Sequence, residues 1–407
     1  MILRTTYVVL SLWMLGAVWC PVSVVEAGQW DIGGQATLET RYFPYSPEFA
    51  NQKKITVSPS GTLEPEFVYE WNDGSERLTL TPFVRLDADD KRRTHADLRE
   101  FNWLHLGSSW DLSVGVGKVF WGVTESVHLV DIINQTDAVE DITGEEKLGQ
   151  PMVNVNIEQP WGTVSLFALP GFRTRTFTSD NARLHGPFPI DTAHPTYDSS
   201  KKERHIDWAA RWTQIFGDMD ISISHFQGTS REPRLLPQNR GGQTVFVPHY
   251  DQIGQTGLEL QLTTENTLWK AEGMTRTGHG KRFYAGVGGF EHTFYGIAES
   301  NVDIGFLLEY LYDGRDSRFA PPSIADNDIF GGFRIAMNDT QATAVLFGGS
   351  FDHHTKAAFI NFEAERRLTD HMKLEFNSRF FVNVPTTDSV ALIRSDDFLE
   401  LKLNWFF

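Results

Sequence analysis

Charged side chains recur at every second position in several strand-like segments of this 407-residue chain. Glu64, Glu66 and Glu70 alternate with apolar residues in one segment, and Lys373 and Glu375 do so in another. Because successive side chains of a β-strand point to opposite faces, each segment presents one charged face and one apolar face. Facing rows of acids and bases can set an electric field that orients polar solutes and selects ions. The alternative is that they only form ion pairs across neighbouring strands.

A set of candidate residues for such a polar wall emerges from these segments. The candidates are Arg85, Arg99, Lys118, Arg211, Lys270, Glu272, Arg276, Glu309, Arg334, Glu363, Glu365 and Arg379. A lysine or arginine facing lipid at the bilayer midplane would cost about 2–4 kcal/mol. We therefore predict that these residues line a water-filled interior.

Two consecutive predicted loops differ in the charge of their polar residues. The first carries Glu125, Asp131, Asn134 and Asp137, and the second begins with a basic run that includes Arg173, Arg175 and Arg183. Long loops of wide barrels can fold inward, in which case these two sets would face each other across a constriction. The alternative is that both loops stay on the surface, where ordinary ion pairs hold them.

No group of residues has the spacing of a catalytic or metal site. Histidines and serines are present, among them His225 and His292, but no spacing marks a nucleophile with its base. His353 and His354 follow Asp352, yet adjacent residues of an extended segment point to opposite sides. We predict no catalytic residue, no metal and no cofactor, and a hydrolase is the least favoured of the functions considered.

The elements that would position the polar wall are strand-like segments joined by connections that alternate between short and long. The short connections are 72–75, 107–109, 159–162, 217–218, 264–266, 338–340 and 369–370. The count is about 18 strands, with about 16 as the alternative, and an even number places both chain ends on one side. A closed barrel of this size leaves an aqueous channel instead of a packed core.

The sequence after residue 27 predicts one domain, a transmembrane antiparallel up-and-down β-barrel spanning residues 28–407. Its apolar runs are too short for a membrane-spanning helix, which needs about 20 residues. A closed barrel is the other structure that satisfies every backbone group within lipid. The predicted long external loops are 122–149, 171–203 and 229–248.

The amino-terminal segment has the features of a secretory signal peptide, residues 1–27. Arg4 precedes an apolar run from residue 7 to 18, and small or β-branched residues follow at Val25 and Ala27. The only cysteine, Cys20, lies in this segment, so the mature chain is predicted to have no disulfide. The net charge of −17 argues against a nucleic-acid partner.

The last residues alternate between apolar and polar and end on an aromatic side chain. Leu403, Trp405 and Phe407 fall on one face of the predicted strand, with Lys402 and Asn404 on the other. This ending resembles the terminal strand by which the barrel-assembly machinery recognises outer-membrane barrels. A buried edge strand of a soluble sandwich is the alternative interpretation.

Several segments together resemble a set of porin-like outer-membrane proteins of largely unknown substrate. They are 117–122, 131–137, 147–152, 169–173, 228–233, 268–272 and 363–368. The resemblance covers most of the mature chain and implies an outer-membrane barrel of a Gram-negative bacterium, with both termini in the periplasm. It supplies no substrate and no functional residues. Lys118 stands where related chains tend to carry arginine, whose planar fork binds anions differently.

These observations predict an outer-membrane porin or channel for the passive or weakly selective passage of small solutes, and not an enzyme. The alternative is a structural or surface-binding barrel without transport. The expected partners are outer-membrane lipids, the barrel-assembly machinery and an unidentified small solute. A homo-oligomer is compatible with the sequence, which marks no oligomer interface.

Overall fold

The computed structural model describes residues 28–323, 326–386, 388 and 391–407. The predicted signal peptide, residues 1–27, lies outside the described residues. Eighteen strands of the described chain form one sheet. They are β1 (Gln29–Tyr42), β2 (Val57–Trp71), β3 (Glu76–Asp87), β4 (His95–Leu106), β5 (Trp110–Gly117), β6 (Gln150–Gln159), β7 (Gly162–Leu169), β9 (Asp207–Phe216), β10 (Met219–Thr229), β13 (Gln252–Thr264), β14 (Thr267–Gly278), β15 (Gly280–Phe294), β16 (Asp303–Asp313), β17 (Asn327–Ala336), β18 (Ala344–Asp352), β19 (Ala358–Thr369), β20 (Met372–Val382) and β21 (Phe398–Phe406).

The sheet closes on itself because its first and last strands pair. Leu38 of β1 lies opposite Leu403 of β21, and the other edge of β1 pairs with β2. Every neighbouring pair in the sheet is antiparallel, and strand order follows chain order. Closure gives every strand two hydrogen-bonded neighbours and leaves no open edge. The predicted up-and-down barrel of about eighteen strands is confirmed.

Side chains alternate between the two sides of this wall. In β1, Leu38 is 69% exposed on the outside, whereas its neighbours Thr37 and Glu39 are buried on the inside. In β21, Leu401 and Trp405 are likewise exposed, and Asn404 is buried. An apolar outer face around a polar interior is the arrangement of porin-like outer-membrane barrels.

The connections at the two ends of the barrel differ in length. At one end, the turn end, the connections are 72–75, 107–109, 160–161, 217–218, 265–266, 295–302, 337–343 and 370–371. At the other end, the loop end, they are 43–56, 88–94, 118–149, 170–206, 230–251, the single residue His279, 314–326, 353–357 and 383–397. Tryptophans next to the turn end, including Trp30, Trp110 and Trp161, are exposed on the outside, as an interfacial aromatic belt requires.

The third predicted long loop, 229–248, lies in a long connection between two barrel strands and carries regular structure of its own. It contains β11 (Arg234–Arg240) and β12 (Gln243–Tyr250), which form a hairpin, and β8 (Thr196–Tyr197) pairs with β12. Gly241 and Gly242 both have positive φ at the hairpin turn, a conformation that glycine adopts without strain.

Helical structure in the described residues is limited to three single-turn 3-10 helices, Lys202–Arg204, Ile297–Glu299 and Ala391–Ile393. None of the described helices has the length and apolar character needed to cross a membrane.

Candidate functional site

The connection between β5 and β6, residues 118–149, folds into the barrel, and we call it the inward loop. Its residues Trp121 and Ile133 are buried in one apolar cluster with Phe167 of β7 and Ile253 of β13. Trp121 is only 2% exposed, and its ring meets that of Phe167 edge-on at 5.7 Å. The core of this protein therefore lies inside the barrel, between the inward loop and the wall.

A second apolar contact carries the inward loop across the interior. Val127 and Leu129 pack against a buried cluster that contains Val287 of β15, Leu307 of β16 and Phe330 of β17. These strands are on the far side of the eighteen-stranded ring from β5. The inward loop thus crosses the lumen and does not stay beside the strand from which it starts.

Two wall carboxylates hold the tip of the inward loop, and we call Glu272 and Glu309 the loop clasp. Glu272 on β14 accepts hydrogen bonds from the backbone N–H groups of Val123 (2.8 Å) and Thr124 (3.0 Å). Glu309 on β16 accepts one from the N–H group of Ser126 (2.9 Å). A hydrogen bond to a charged group contributes about 1.5–3 kcal/mol, so the clasp is a strong attachment.

The side chain of Glu125, between these amides, reaches two predicted wall bases. Its carboxylate lies 2.8 Å from Arg334 Nη2 and 3.9 Å from Lys270 Nζ. Arg334 also pairs with Glu291 at 3.1 Å. Glu125 therefore joins the loop tip to the wall by charge as well as through its backbone.

The returning half of the inward loop binds the opposite wall. Asp137 pairs with Arg99 of β4 at 2.7 Å, and Glu140 pairs with Arg85 of β3 at 2.7 Å. Asp137 also accepts a hydrogen bond from the hydroxyl of Thr176 in the next long connection. The two long connections therefore meet through Asp137 and Thr176.

A dense network of buried ion pairs lies behind Glu140. Glu39 of β1 is within 2.9 Å of Arg85, 2.7 Å of Arg93 and 3.2 Å of Arg41. Arg41 in turn pairs with Glu400 of β21 at 2.6 Å. Each of these buried charges has at least one opposite partner, which buried ions require.

Asn134 ties together the two ends of the inward loop. Its amide donates to the carbonyl oxygens of Gly117 and Leu148, both at 2.9 Å. Its side-chain oxygen accepts the N–H group of Val119. Both the oxygen and the nitrogen of the Asn134 side chain are therefore engaged in holding the loop.

Two further predicted residues, Asp131 and Lys118, have charged partners within the inward loop. Asp131 pairs with Lys147 of the same loop at 3.1 Å. Lys118 lies 3.9 Å from Glu146.

The arginines of the second predicted loop have other partners than the acids of the first among the described residues, and a constriction between the two sets stays a prediction. Arg173 pairs with Asp97 of β4 at 2.6 Å, and Arg183 pairs with Asp396 at 3.0 Å. Arg175 uses its backbone N–H group to bind the hydroxyl of Tyr250. The two loops touch through other atoms, because each first-loop acid is already bound to a wall or loop base.

The remaining predicted wall residues face the interior in ion pairs or hydrogen bonds with residues of other strands or loops. These are Arg211 with Glu259 (2.7 Å), Arg379 with Glu363 (3.0 Å), Glu365 with Lys373 (3.2 Å), and Arg276 with Gln255 (2.6 Å) and Glu232 (3.0 Å). Arg211 also lies over the ring of Trp121 at 5.5 Å. A role in solute passage remains a prediction for all of them.

Two groups of residues in the described part of the chain bring metal-ligating atoms within 4.8 Å of one another. They are His95 with Asp137 and Glu140, and His249 with Asp198 and Asp251. Asp137 and Glu140 already bind Arg99 and Arg85, and Asp251 binds Arg234. The acids of both groups are therefore largely neutralised by arginine.

The sequence did not reveal several partners of the predicted residues that are distant in the chain. Glu39 and Arg93 belong to the network behind Glu140, and Arg315 shares Glu232 with Arg276. None of these four partners was a candidate in the sequence. Glu39 alternates with apolar neighbours in β1 and could have been found by the same period-two rule. Glu232 and Arg315 lie in loops, where no periodicity exists to mark them.

No protein-family profile and no curated protein matches this sequence. Among solved structures, a mutant of Rh. blastica porin is similar with 9% identity and a TM-score of 0.45, over 93% of this chain and 100% of that chain. OmpT of Vibrio cholerae in its trimer form is similar with 11% identity and a TM-score of 0.45, over 94% of this chain and 100% of that chain. At these values the likenesses assign neither a solute nor an activity.

Proposed function

We propose that this chain is an outer-membrane channel for the passive or weakly selective passage of small polar solutes. The observation that carries the proposal is a closed eighteen-stranded barrel whose lumen is crossed by a clasped inward loop. A barrel of 16 to 18 strands is wide enough to hold water along its axis. The inward loop narrows that space, so it sets the size of the solute that passes.

The same proposal assigns the two ends of the barrel. The turn end faces the periplasm with both termini of the mature chain, and the loop end faces the outside of a Gram-negative cell. Residues 1–27 are the signal peptide that is removed. Leu403, Trp405 and Phe407 are the residues that the barrel-assembly machinery recognises, and Trp405 and Phe407 are exposed on the outer face. Lipids cover the rest of that face, and association with further copies of the chain is compatible with it.

Liposome swelling tests this function directly. Vesicles that contain the refolded barrel are diluted into isotonic sugars, amino acids, organic acids and apolar compounds. The expected result is swelling that falls as solute size rises, because the inward loop limits the opening. Heat-modifiable mobility on an electrophoresis gel shows whether the barrels are folded. Folded barrels that admit none of these solutes would favour a structural or surface-binding role.

An enzyme is the competing class, and we propose that the chain is not one. Of the histidines considered in the sequence, His225 projects from the outer face, where its ring bonds to the hydroxyl of Thr256 at 2.9 Å. Lipase and protease assays on the purified barrel are expected to give no turnover. Activity that survives purification to homogeneity would overturn this assignment.

A further inference from the structure

One carboxylate at the loop end is held by two arginines that come from distant parts of the chain. Glu232, which follows β10, lies 3.0 Å from Arg276 Nη1 and 2.8 Å from Arg315 Nη1. Both nitrogens meet the same oxygen, Oε2. Arg276 projects inward from β14, and Arg315 follows β16, so the carboxylate lies at the mouth of the lumen.

Other groups fix the two guanidinium planes before Glu232 binds. Gln255 accepts hydrogen bonds from Arg276 Nε (2.8 Å) and Nη2 (2.6 Å). Asp313 accepts one from Arg315 Nε at 2.8 Å. The ring of Phe283 lies 5.9 Å from the first guanidinium and 5.5 Å from the second. The two Nη1 groups are thus preorganised as a fork for a carboxylate.

A third arginine at this place has no carboxylate of its own. Arg175 lies close enough to Glu232 to interact with it electrostatically, but it has no ion pair within 4 Å among the described residues. Its Nε is buried without a hydrogen-bond partner. Burial lowers the pKa of Arg175, as expected for a cation that lacks a close counter-ion. With Glu232 and Asp313 as the acids, the three arginines leave one positive charge uncompensated.

Glu232 is more accessible than the two arginines that hold it. Its side chain is 35% exposed, against 2% for Arg276 and 8% for Arg315. Its second oxygen, Oε1, accepts no hydrogen bond from the described residues. Burial opposes its ionisation, but Arg276 and Arg315 lower its pKa far below the ordinary value, so it remains a carboxylate. A partly exposed anion in a rigid basic cage can exchange with an anion from solution.

We propose that Arg175, Arg276 and Arg315 form a binding site for a carboxylate-bearing solute, and that Glu232 occupies it in the solute's absence. We call these four residues the mouth site. The inference rests on the proposed channel function, because the solute reaches this site on its way into the lumen. It names the solute class as small organic acids, whose carboxylate would replace that of Glu232 on the two Nη1 groups, while the charge of Arg175 adds a longer-range attraction.

Isothermal titration of the folded, detergent-solubilised barrel with succinate tests the site without requiring conduction. The wild-type barrel is expected to bind succinate weakly, because Glu232 competes for the same donors. Glu232→Gln removes the competing charge and should tighten binding by roughly tenfold or more. Arg175→Gln and Arg276→Gln should weaken it by a similar factor.

The matched control is Arg318→Gln, which removes an exposed loop arginine that pairs only with Asp316 among the described residues. Its succinate affinity should equal that of the wild type. An unchanged or weaker affinity in a folded Glu232→Gln barrel would overturn the inference, since Glu232 would then be an ordinary loop anchor. Potassium chloride currents that persist in that variant would leave the proposed channel function intact.

Discussion

The carboxylate of Glu272 on β14 accepts hydrogen bonds from both the backbone N–H group (3.0 Å) and the hydroxyl (2.7 Å) of Thr124 at the tip of the inward loop. The two residues are 148 positions apart in the chain. Their contact fixes the tip of a loop that begins at β5 on the other side of the lumen. In the proposed channel, the width of the opening therefore depends on the polar and apolar contacts that hold this loop as well as on the wall.

Loosening the clasp should widen the channel. Glu272→Gln combined with Glu309→Gln removes the negative charge that strengthens the hydrogen bonds to the loop amides, at about 1–3 kcal/mol for each side chain. We expect single-channel recordings to show larger and noisier current steps. Asp339→Asn, which removes an acid of the 337–343 turn that pairs with Arg366 at 3.2 Å, is the control and should leave the steps unchanged. Identical steps in the double variant would show that the clasp does not set the width.

Substitutions at two adjacent aromatic residues should show how strongly apolar packing holds the inward loop in place. Trp121 is 2% exposed and Phe120 is 59% exposed. Trp121→Ala should weaken the seating of the loop by about 3–5 kcal/mol, because it leaves a cavity beside Phe167. Phe120→Ala should cost less than about 0.5 kcal/mol. Hydrogen exchange of residues 118–133 by mass spectrometry reads the difference, and equal protection in both variants would contradict the proposed anchor.

His279 should make the loop end less stable at acidic pH. Its ring is fully buried, and burial together with nearby Arg276 lowers its pKa from 6.5 to about 4. The folded ring therefore stays neutral while the unfolded one takes up a proton below pH 6.5. Stability should be greatest above that pH, fall by about 3 kcal/mol as the pH drops toward 4, and then level off.

The measurement is local hydrogen exchange at the loop end across this pH range, in wild type and in His279→Leu. The substitution should remove most of the pH dependence. His353→Leu, at an exposed histidine, is the control and should retain it. If the stability of the loop end depends on pH equally in wild type and in His279→Leu, another titrating group causes the effect.

Local sequence signals suffice for the wall of the barrel but not for what fills it. Period-two alternation predicts the strands. Turns such as the one at Asn72, Asp73 and Gly74 consist of residue types that favour turns. The contacts inside the barrel cannot be predicted in this way, because Arg334 and its partner Glu125 are 209 positions apart in the chain. Such a partner depends on the path of the loop across the lumen, which no spacing reveals.

The apolar part of the inner wall was missed for a related reason. In β7, Leu166 is exposed on the outer face while its neighbour Phe167 is buried on the inner face. When both faces of a strand are apolar, the alternation disappears, and the sequence cannot distinguish lipid on one side from a covering loop on the other. The inward loop supplies the apolar residues that cover this part of the wall.

The last residue should control assembly without controlling the fold. The N–H group of Phe407 bonds to the carbonyl of Gly34, and its ring lies 5.2 Å from that of Trp405. Deleting Phe407 should lower the fraction of chains that reach the heat-modifiable, folded form in the outer membrane. Phe406→Ala keeps the terminal aromatic and should assemble normally. Equal assembly of both variants would remove the role of Phe407 in recognition.

Planar-bilayer recording of the purified barrel tests the central claim most directly. A channel narrowed by the inward loop should give discrete current steps in potassium chloride, and the Glu272→Gln and Glu309→Gln double variant should give larger ones. Barrels proven to be folded and inserted that pass no current, in the wild type and in the double variant alike, would contradict the account.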